Sequence, residues 1–246
     1  MTPLTSRRID LNADVGEGTG TEALLAPLCS SWNLCCGAHA GSPEDLDRAL
    51  ELANTYRISC GAHPGHADRE HFGRVAIPID GSDLRRLIVP QIETVARAAQ
   101  KHGLKLAHLK LHGALYHQAG SDRQLAEETI AIAREFGLLI FGFSRSVLET
   151  LTAPLGIFVP EGFADRGMDP MGNLLPRGTP GDILHDPEAA AQQALRLALS
   201  GRVKTLCVHG DSPDAARILG AVRTRLLEKE FEITAPVMDA PGVKTS

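Results

Sequence analysis

The 246-residue sequence has few aromatic residues and no run of basic ones. Phe, Trp and Tyr together make up 4% of the chain, and the formal net charge is −5. Nucleic-acid surfaces need clustered cations and stacking aromatics, so we predict no nucleic-acid partner. The longest strongly apolar stretch, residues 138–143, is far too short to span a bilayer, and no apolar signal core follows Met1. The sequence therefore predicts no membrane association.

Several cofactor and nucleophile motifs are also missing. The sequence contains neither a Gly-x-Gly-x-x-Gly dinucleotide turn nor a Gly-x-x-x-x-Gly-Lys-Ser/Thr phosphate loop. Ser144 follows an apolar run but lacks the Gly-x-Ser-x-Gly elbow that exposes a nucleophilic serine. We therefore expect neither nucleotide-dependent redox chemistry nor a serine nucleophile.

The five cysteines do not have the spacing of a structural zinc site, and their number is odd. Three of them, Cys35, Cys60 and Cys207, lie inside apolar, strand-like runs. Small buried thiols of this kind are typical of proteins in a reducing compartment. The cysteine content therefore predicts a cytoplasmic protein.

Short apolar runs alternate with amphipathic segments about seven times along the chain. The runs lie at residues 8–13, 32–36, 58–61, 106–111, 138–143, 156–160 and 205–208. Continuous apolar runs are typical of strands that are buried on both faces of a parallel sheet. The alternation predicts a single α/β domain over residues 1–246, a seven-stranded, distorted (β/α) barrel, with a short flexible tail at about 236–246. A doubly wound open sheet is the alternative, and the missing dinucleotide turn disfavours it.

Three helix starts are predicted by a capping residue followed by proline, at Ser42-Pro43, Asp186-Pro187 and Ser212-Pro213. A helical stripe from Leu84 to Ala99 contains Pro90, where we expect a kink. Gly103 is expected to end that helix.

Ionisable residues follow six of the seven predicted strands. They are Asp14, Glu17, His39, His63, His108, Lys110, His112, Glu161, Asp165, Arg166, His209 and Asp211. In a parallel barrel all strand C-termini lie on one face, so these side chains should gather around one mouth. We therefore predict that they form an active-site rim. His66 and His71 in the following loop are weaker candidates, and His102 and His185 are interpreted as surface or structural residues.

The residue types at the predicted rim are compatible with more than one kind of chemistry. An Asp and two His side chains at separate strand ends can hold a divalent metal or position water for acid–base work. Lys110 inside an apolar strand, together with Arg166 and Arg177, suits a carboxylate or phosphate. The inventory favours hydrolysis or amide chemistry on a small anionic substrate.

Seven motifs, in order from about residue 8 to residue 230, resemble those of the LamB/YcsF family. They are IDLNADVGEG at 9–18, CGAHAG at 36–41, GAHP at 61–64, HGALY at 112–116, EGFADR at 161–166, LPR at 175–177 and CVHGD at 207–211. The resemblance implies a cytoplasmic barrel related to the glycoside hydrolase/deacetylase superfamily. It also implies an amidohydrolase that cleaves 5-oxo-L-proline to L-glutamate, coupled to hydrolysis of ATP with Mg²⁺. The implied partners are the B and C subunits of 5-oxoprolinase, and a homo-oligomer is left open.

The resemblance implies roles for the residues of this chain that match the family's motifs. The implied catalytic residues are Asp14, His39, His63, His112 and Glu161. The implied substrate-binding residues are Glu17, Lys110, Asp165, Arg166, Arg177, His209 and Asp211. Asp14, His39 and His63 are the expected water- or metal-binding centre, so a divalent metal at the barrel mouth is part of this expectation. His112 and Glu161 are the acid–base candidates.

The chain departs from the family pattern at the rim. The family usually has Phe at Ala38, Pro at Leu111 and Asn at His117, and the loop at 64–74 also differs. These departures bear on the identity of the substrate. Two other functions are therefore weighed: a metal-dependent N-acetyl-sugar deacetylase that needs no ATP, and a non-catalytic lactam-binding component of a complex.

Overall fold

The computed structural model describes residues 7–238, in which eight β-strands alternate with helices. The strands are β1 (Arg7–Val15), β2 (Ser31–Cys35), β3 (Ser59–His63), β4 (Leu106–Leu109), β5 (Leu139–Phe143), β6 (Phe158–Phe163), β7 (Thr205–His209) and β8 (Phe231–Ile233). The helices are α1 (Glu22–Leu25), α2 (Pro43–Tyr56), α3 (Gly81–Lys101), α4 (Gly113–Ser121), α5 (Arg123–Phe136), α6 (Val147–Thr152), α7 (Pro187–Leu199) and α8 (Ala215–Glu228).

The first seven strands close into a parallel barrel. Each strand from β2 to β6 pairs with the next one along the chain, and β1 pairs with both β2 and β7. Closure confirms the predicted (β/α) barrel and excludes the open doubly wound sheet. All seven strand C-termini therefore lie on the same face of the barrel.

The sequence did not predict β8, which distorts the barrel. β8 pairs in parallel with Arg7–Ile9 at the start of β1, whereas β2 pairs with residues 12–15 at its end. β1 therefore changes partner along its length. β8 has only three residues and its middle residue, Glu232, is polar, so no apolar run marks it.

One predicted strand, at 156–160, has the wrong bounds. β6 begins at Phe158 and continues to Phe163. Gly156 has φ +66°, a left-handed conformation that interrupts an extended strand. The shift places Glu161 inside β6 and not beyond its end.

Two of the three helix starts predicted from capping motifs are confirmed. The Ser42 and Asp186 side chains each accept a backbone N–H of the first turn, and proline follows both. The third prediction is wrong, because α8 begins at Ala215 and its N-cap, Asp214, makes no side-chain capping bond. Gly103, with φ +72°, follows the end of α3 as predicted. Pro90 lies inside α3, and the helix continues on both sides of it.

Two apolar clusters fill the space between the barrel and its helices. One contains Trp32 and Leu11 and packs β1 and β2 against α2, α7 and α8. The other contains Phe141 and Leu109 and packs β4 and β5 against α3, α4 and α5. Burial on both sides explains why these strands read as continuous apolar runs.

Residues 239–246 of the predicted tail lie outside the described part of the chain. Within residues 7–238, no helix has the length and apolar character needed to cross a membrane.

A buried carboxylate ties three segments of the barrel together near the start of β1. Asp10 is 1% exposed and accepts hydrogen bonds from the hydroxyls of Ser30, Ser31 and Thr205, at 2.5 to 2.7 Å. Burial raises the pKa of Asp10 to about 6, and the charge of Glu161 adds to the rise, although the three hydroxyls oppose it.

The raised pKa predicts that Asp10 weakens the fold as the pH rises. The folded pKa lies above the unfolded value, so the group stabilises the fold below about pH 4 and this contribution is lost through about pH 6. We expect the unfolding free energy of the wild type to fall by about 3 kcal/mol relative to Asp10→Asn between about pH 4 and 7. Urea denaturation across this range measures the difference. A constant difference for Asp10→Asn across this range would contradict the prediction.

Candidate functional site

The strand C-termini surround a cavity of about 170 Å³ at the mouth of the barrel. Ten polar residues contribute to its wall: Asp14, His63, Arg74, Lys110, His112, Tyr116, His117, Arg166, Arg177 and His209. Seven of these were predicted as rim residues or anion ligands from sequence, and the structure brings them together. Arg74 and Tyr116 were not predicted, and His117 was noted only as a departure from the family pattern.

Lys110 is the centre of charge beneath the cavity. Its Nζ lies 2.8 Å from Asp14 Oδ1 and 3.0 Å from Glu161 Oε1, and all three side chains are buried. Burial alone would lower the pKa of Lys110, but the neighbouring Asp14, Cys207 and Glu161 raise it well above its usual value. Lys110 is therefore a fixed ammonium that joins β1 to β6.

Asp14 stays ionised in spite of its burial. Burial alone would raise its pKa, but His63 and Lys110 hold the pKa of Asp14 well below its usual value. Oδ1 accepts from Lys110 and, at 2.7 Å, from Asn33 Nδ2, while Oδ2 lies 3.5 Å from His63 Nε2. Oδ1 of Asp14 is therefore hydrogen-bonded inside the barrel, and Oδ2 faces the histidines.

An amide ladder below Asp14 orients this network. Asn12 Nδ2 donates to Glu161 Oε1 at 2.9 Å and to Thr205 Oγ1 at 2.7 Å, and Asn12 Oδ1 accepts from Asn33 Nδ2 at 2.7 Å. His108 Nε2 donates to Asn33 Oδ1 at 2.8 Å, and burial lowers the pKa of His108 to about 3, so this ring is neutral. Each of these polar groups has a partner, as a buried network requires.

The sequence analysis missed three of the residues in this network. Asn12 and Asn33 are uncharged residues inside apolar strands, and Tyr116 lies on α4. Tyr116 donates its hydroxyl to Glu161 Oε2 at 2.7 Å. Asn12 has the same strand parity as Asp14, and that alternation was the available signal.

Glu161 is held on both oxygens. Oε1 accepts from Asn12 and Lys110, and Oε2 accepts from Tyr116. The side chain is buried, and Glu161 is not among the residues lining the mouth cavity. Its contacts suit a residue that positions Lys110 and Tyr116.

Three histidines form a buried cluster beside Asp14. His39 stacks on His112 with ring centroids 3.7 Å apart, and His63 meets both rings edge-on. His63 Nδ1 lies 2.7 Å from Lys110 O, and His112 Nε2 lies 2.8 Å from Phe72 O. A carbonyl oxygen only accepts, so each of these ring nitrogens carries the proton.

Burial also keeps two of the three rings neutral. It lowers the pKa of His39 to about 3 and the pKa of His112 well below its usual value, and the charge of His63 lowers both further. Glu17 lies against the same cluster, with Oε1 3.4 Å from His39 Nε2. Burial, with the charges of Asp14 and Asp211, raises the pKa of Glu17 well above its usual value.

The loop at 64–74 covers the histidine cluster. Gly73 has φ +64°, and its carbonyl accepts Ala114 N at the start of α4, at 3.0 Å. A Cβ on Gly113, which has φ +54°, would lie 2.4 Å from that same carbonyl oxygen. Glycine at these two positions lets the loop lie on α4, which brings Phe72 O to His112.

Of the weaker candidates, His66 belongs to this loop and is buried, and its Nε2 forms a hydrogen bond of 2.6 Å with Gln118 Oε1. His71 is exposed and pairs with Asp68. Neither belongs to the residues that line the mouth cavity.

Three arginines form part of the wall of the cavity. Arg166 is fixed by its bonds to Asp182 O and Leu175 O, at 3.0 and 2.7 Å. Arg74 pairs with Asp211 at 2.6 Å. Within residues 7–238 no hydrogen bond or ion pair involves the Arg177 guanidinium, although the side chain lines the cavity. This wall therefore favours an anion.

His209 is held at the rim by Asp165. The carboxylate accepts His209 N at 2.8 Å and His209 Nδ1 at 3.0 Å. Burial alone would raise the pKa of Asp165, but His209 lowers it below its usual value. Asp165 holds His209 in place and is not among the residues that line the mouth cavity, and its binding to substrate stays a prediction.

Two groups of side chains have ligand atoms close enough to hold a metal ion. Among the described residues these groups are Asp14, Cys207 and His209, and Glu17, His63 and His112, with atoms within 4.8 Å of one another in each. Neither is the predicted group of Asp14, His39 and His63. His39 belongs to neither group, and its Nε2 lies 3.3 Å from Cys35 Sγ and 3.4 Å from Glu17 Oε1.

A second cavity, of about 540 Å³, adjoins the first. It shares His117, Phe143 and Phe163 with the mouth, and Arg145 and Arg202 lie in its wall. His117, one of the departures from the family pattern, therefore lies between the two cavities.

A closed parallel barrel with acidic, histidine and arginine side chains at one mouth defines an α/β-barrel protein with a charged, enzyme-like site. The fold is also that of a peptidoglycan N-acetylglucosamine deacetylase catalytic domain from Eubacterium rectale, with a TM-score of 0.59 at 11% identity, covering 99% of this chain and 96% of that one. At this identity the likeness concerns the fold alone.

The chain belongs to the LamB/YcsF family, whose model matches residues 9–240. It is 37% identical to the A subunit of 5-oxoprolinase from Methylococcus capsulatus, over 94% of this chain and 96% of that protein. It is 36% identical to the corresponding protein from Neisseria meningitidis serogroup C, over 93% and 100%. The crystal structure of a lactam utilization protein from Thermus thermophilus superposes with a TM-score of 0.83 at 35% identity, covering 93% and 99%.

Removing the central ammonium tests the charge network. Lys110→Met would leave Asp14 and Glu161 buried without their counterion, and such a loss costs about 3–5 kcal/mol. We expect urea denaturation at neutral pH to show a decrease of this size. Arg97→Met, which removes an exposed pair with Glu93, should change the unfolding free energy by less than about 1 kcal/mol. Equal effects of the two substitutions would contradict the role given to Lys110.

Proposed function

We propose that this chain acts as the A subunit of an ATP-dependent 5-oxoprolinase, which opens 5-oxo-L-proline to L-glutamate together with B and C subunits. Curated relatives that share more than a third of its residues carry that name. The observation that carries the proposal is the cavity itself. Its wall combines Arg177, whose guanidinium makes no hydrogen bond or ion pair within residues 7–238, with the Asp14–His63 pair. The cavity therefore offers one group that suits a carboxylate and another that suits an amide.

The substrate carboxylate would bind at the arginine wall. The donors of Arg177 are available, and a guanidinium matches a carboxylate with two parallel hydrogen bonds. Arg166 also lines the cavity and adds positive charge, but its own bonds to Asp182 O and Leu175 O hold it in place. With its carboxylate there, the lactam ring would extend toward the histidines.

Ring opening requires water at the carbonyl carbon and a proton at the ring nitrogen. Asp14 Oδ2 and the histidine cluster are the groups there that can accept and orient water. His112 is the acid–base candidate next to them. We assign Glu161 and His39 to positioning, because Glu161 is bonded on both oxygens and His39 supports the ring of His112.

The coupling to ATP follows from the chemistry of the substrate. A five-membered lactam is an unstrained amide, and transfer of a phosphoryl group to its oxygen activates the carbonyl carbon toward water. After water has added to this carbon, cleavage of the C–N bond frees the amine and leaves an acyl phosphate. A second water hydrolyses the acyl phosphate to glutamate and inorganic phosphate. ATP with Mg²⁺ is thus a substrate of the proposed complete assembly. The proposal also includes a cytoplasmic location and a single barrel domain over residues 1–246.

The reconstituted reaction tests the function directly. This chain is mixed with its candidate B and C partners, and glutamate release from 5-oxo-L-proline is measured with and without ATP. We expect release only in the complete mixture with ATP, and a fall of about 100-fold or more for Asp14→Ala and His112→Ala. Arg97→Met on an exposed helix face is the control and should keep wild-type activity.

Each alternative predicts a different outcome of that assay. Deacetylation of an N-acetylated sugar by the chain alone, without ATP, would favour the deacetylase. Full activity of the complex with Asp14→Ala and His112→Ala would favour a non-catalytic lactam-binding component. No glutamate in the complete mixture would contradict the proposed function.

Arg177 provides a test of substrate orientation. Arg177→Met removes a charged hydrogen bond to the substrate but no hydrogen bond within the described part of the chain. A hydrogen bond to a charged group contributes about 1.5–3 kcal/mol, so KM for 5-oxo-L-proline should rise by about tenfold or more. The kcat should change little, because the contact exists before and during reaction. Arg202→Met in the second cavity is the matched control, and an unchanged KM for Arg177→Met would contradict the assigned orientation.

A further inference from the structure

His63 and His112 face each other through one ring nitrogen each. Their protons are on His63 Nδ1 and His112 Nε2, which donate to Lys110 O and Phe72 O. The remaining nitrogens, His63 Nε2 and His112 Nδ1, are 2.9 Å apart. If both rings were neutral, these two nitrogens would present a lone pair to a lone pair, which is repulsive. The arrangement therefore requires a positive charge at this point, either a proton on His63 Nε2 or a bound cation.

A carboxylate oxygen without a partner lies at the same point. Glu17 Oε1 is buried and has no hydrogen-bond partner among residues 7–238, which is costly for a polar atom. It lies 3.7 Å from His112 Nδ1. The open oxygen of Asp14, Oδ2, lies 3.5 Å from His63 Nε2. Two ring nitrogens and two carboxylate oxygens thus converge at one place, with at most one proton between the facing nitrogens.

We propose that Glu17, His63 and His112 bind one divalent cation of the class that accepts imidazole and carboxylate ligands, with Zn²⁺ as its representative. The ligand atoms of these three residues already lie within 4.8 Å of one another. Tetrahedral zinc with Zn–N bonds of about 2.0–2.1 Å needs its two nitrogens about 3.3 Å apart. The rings need to separate by only about 0.4 Å from their present distance.

The surrounding contacts are those of a built metal site. A histidine that binds metal usually donates its other N–H to a carbonyl or carboxylate, which fixes the ring and its tautomer. Lys110 O and Phe72 O do this for His63 and His112. Two of the three ligands line the mouth cavity, so the ion would have an open side toward substrate, as in catalytic zinc sites. There it would supply Lewis-acid chemistry at a carbonyl oxygen.

The other converging group suits a cation less well. In the group of Asp14, Cys207 and His209, the sulfur lies 3.1 Å from Lys110 Nζ, and Asp14 Oδ1 lies 2.8 Å from the same ammonium. A cation there would be close to a buried positive charge. His209 Nδ1 is also already bonded to Asp165. We therefore place the ion at Glu17 and not at Cys207.

Metal binding by the chain alone tests the assignment. The protein is stripped with chelator, and Zn²⁺ is titrated calorimetrically, with Co²⁺ as a second probe whose visible absorption reports its ligands. We expect one ion per chain, with affinity lowered about 100-fold or more in Glu17→Gln and His112→Asn. His209→Asn, the control for the rival group, should bind Zn²⁺ like the wild type. Circular dichroism checks that each variant is folded.

Crystals of the wild type soaked in Zn²⁺ locate the ion without any variant. Anomalous density between His63 and His112 would support the site. No binding to the folded protein would overturn it and leave a shared proton as the bridging charge. Loss of binding in His209→Asn alone, or density beside Cys207, would also overturn it. These measurements use neither substrate nor partner proteins, so their failure is distinct from failure of the proposed 5-oxoprolinase activity.

Discussion

The buried ammonium of Lys110 is the interaction on which the rest of the site depends. It lies within 3.0 Å of carboxylates from β1 and β6, which are far apart in sequence but both bound to β7 in the barrel. A lone charge in this interior would be expensive, and so would either carboxylate without it. The mutual compensation fixes Oδ1 of Asp14 and leaves Oδ2 to face the histidines. The barrel therefore supports the site at its mouth with charge as well as with apolar packing.

The mouth combines two chemically different sets of side chains. Asp14 and histidines from the ends of β1 and β3 and the start of α4 form one set, and arginines from the loops after β3 and β6 form the other. A substrate with an anionic end and an amide end is oriented by such a combination, since each end has one favourable location. The loop at 64–74 contributes to both sets, because Phe72 O fixes His112 while Arg74 lines the arginine wall.

Much of this arrangement could be predicted from sequence because parallel strands end on the same face. That rule alone gathers Asp14, His63, Lys110 and His209 around one opening, and continuous apolar runs identified the barrel strands. It does not reveal uncharged partners such as Asn33, whose role exists only through contacts with residues distant in sequence. Nor does it reveal which histidines point toward each other, because ring orientation is set by the carbonyls of Lys110 and Phe72. β8 escaped prediction since three residues carry no periodic signal.

A crystal structure with 5-oxo-L-proline bound tests most directly whether this mouth recognises a lactam acid. The substrate carboxylate should lie on Arg177, with the lactam carbonyl directed toward Asp14 Oδ2 and His63. A ligand bound in the opposite orientation, or outside this cavity, would contradict the account.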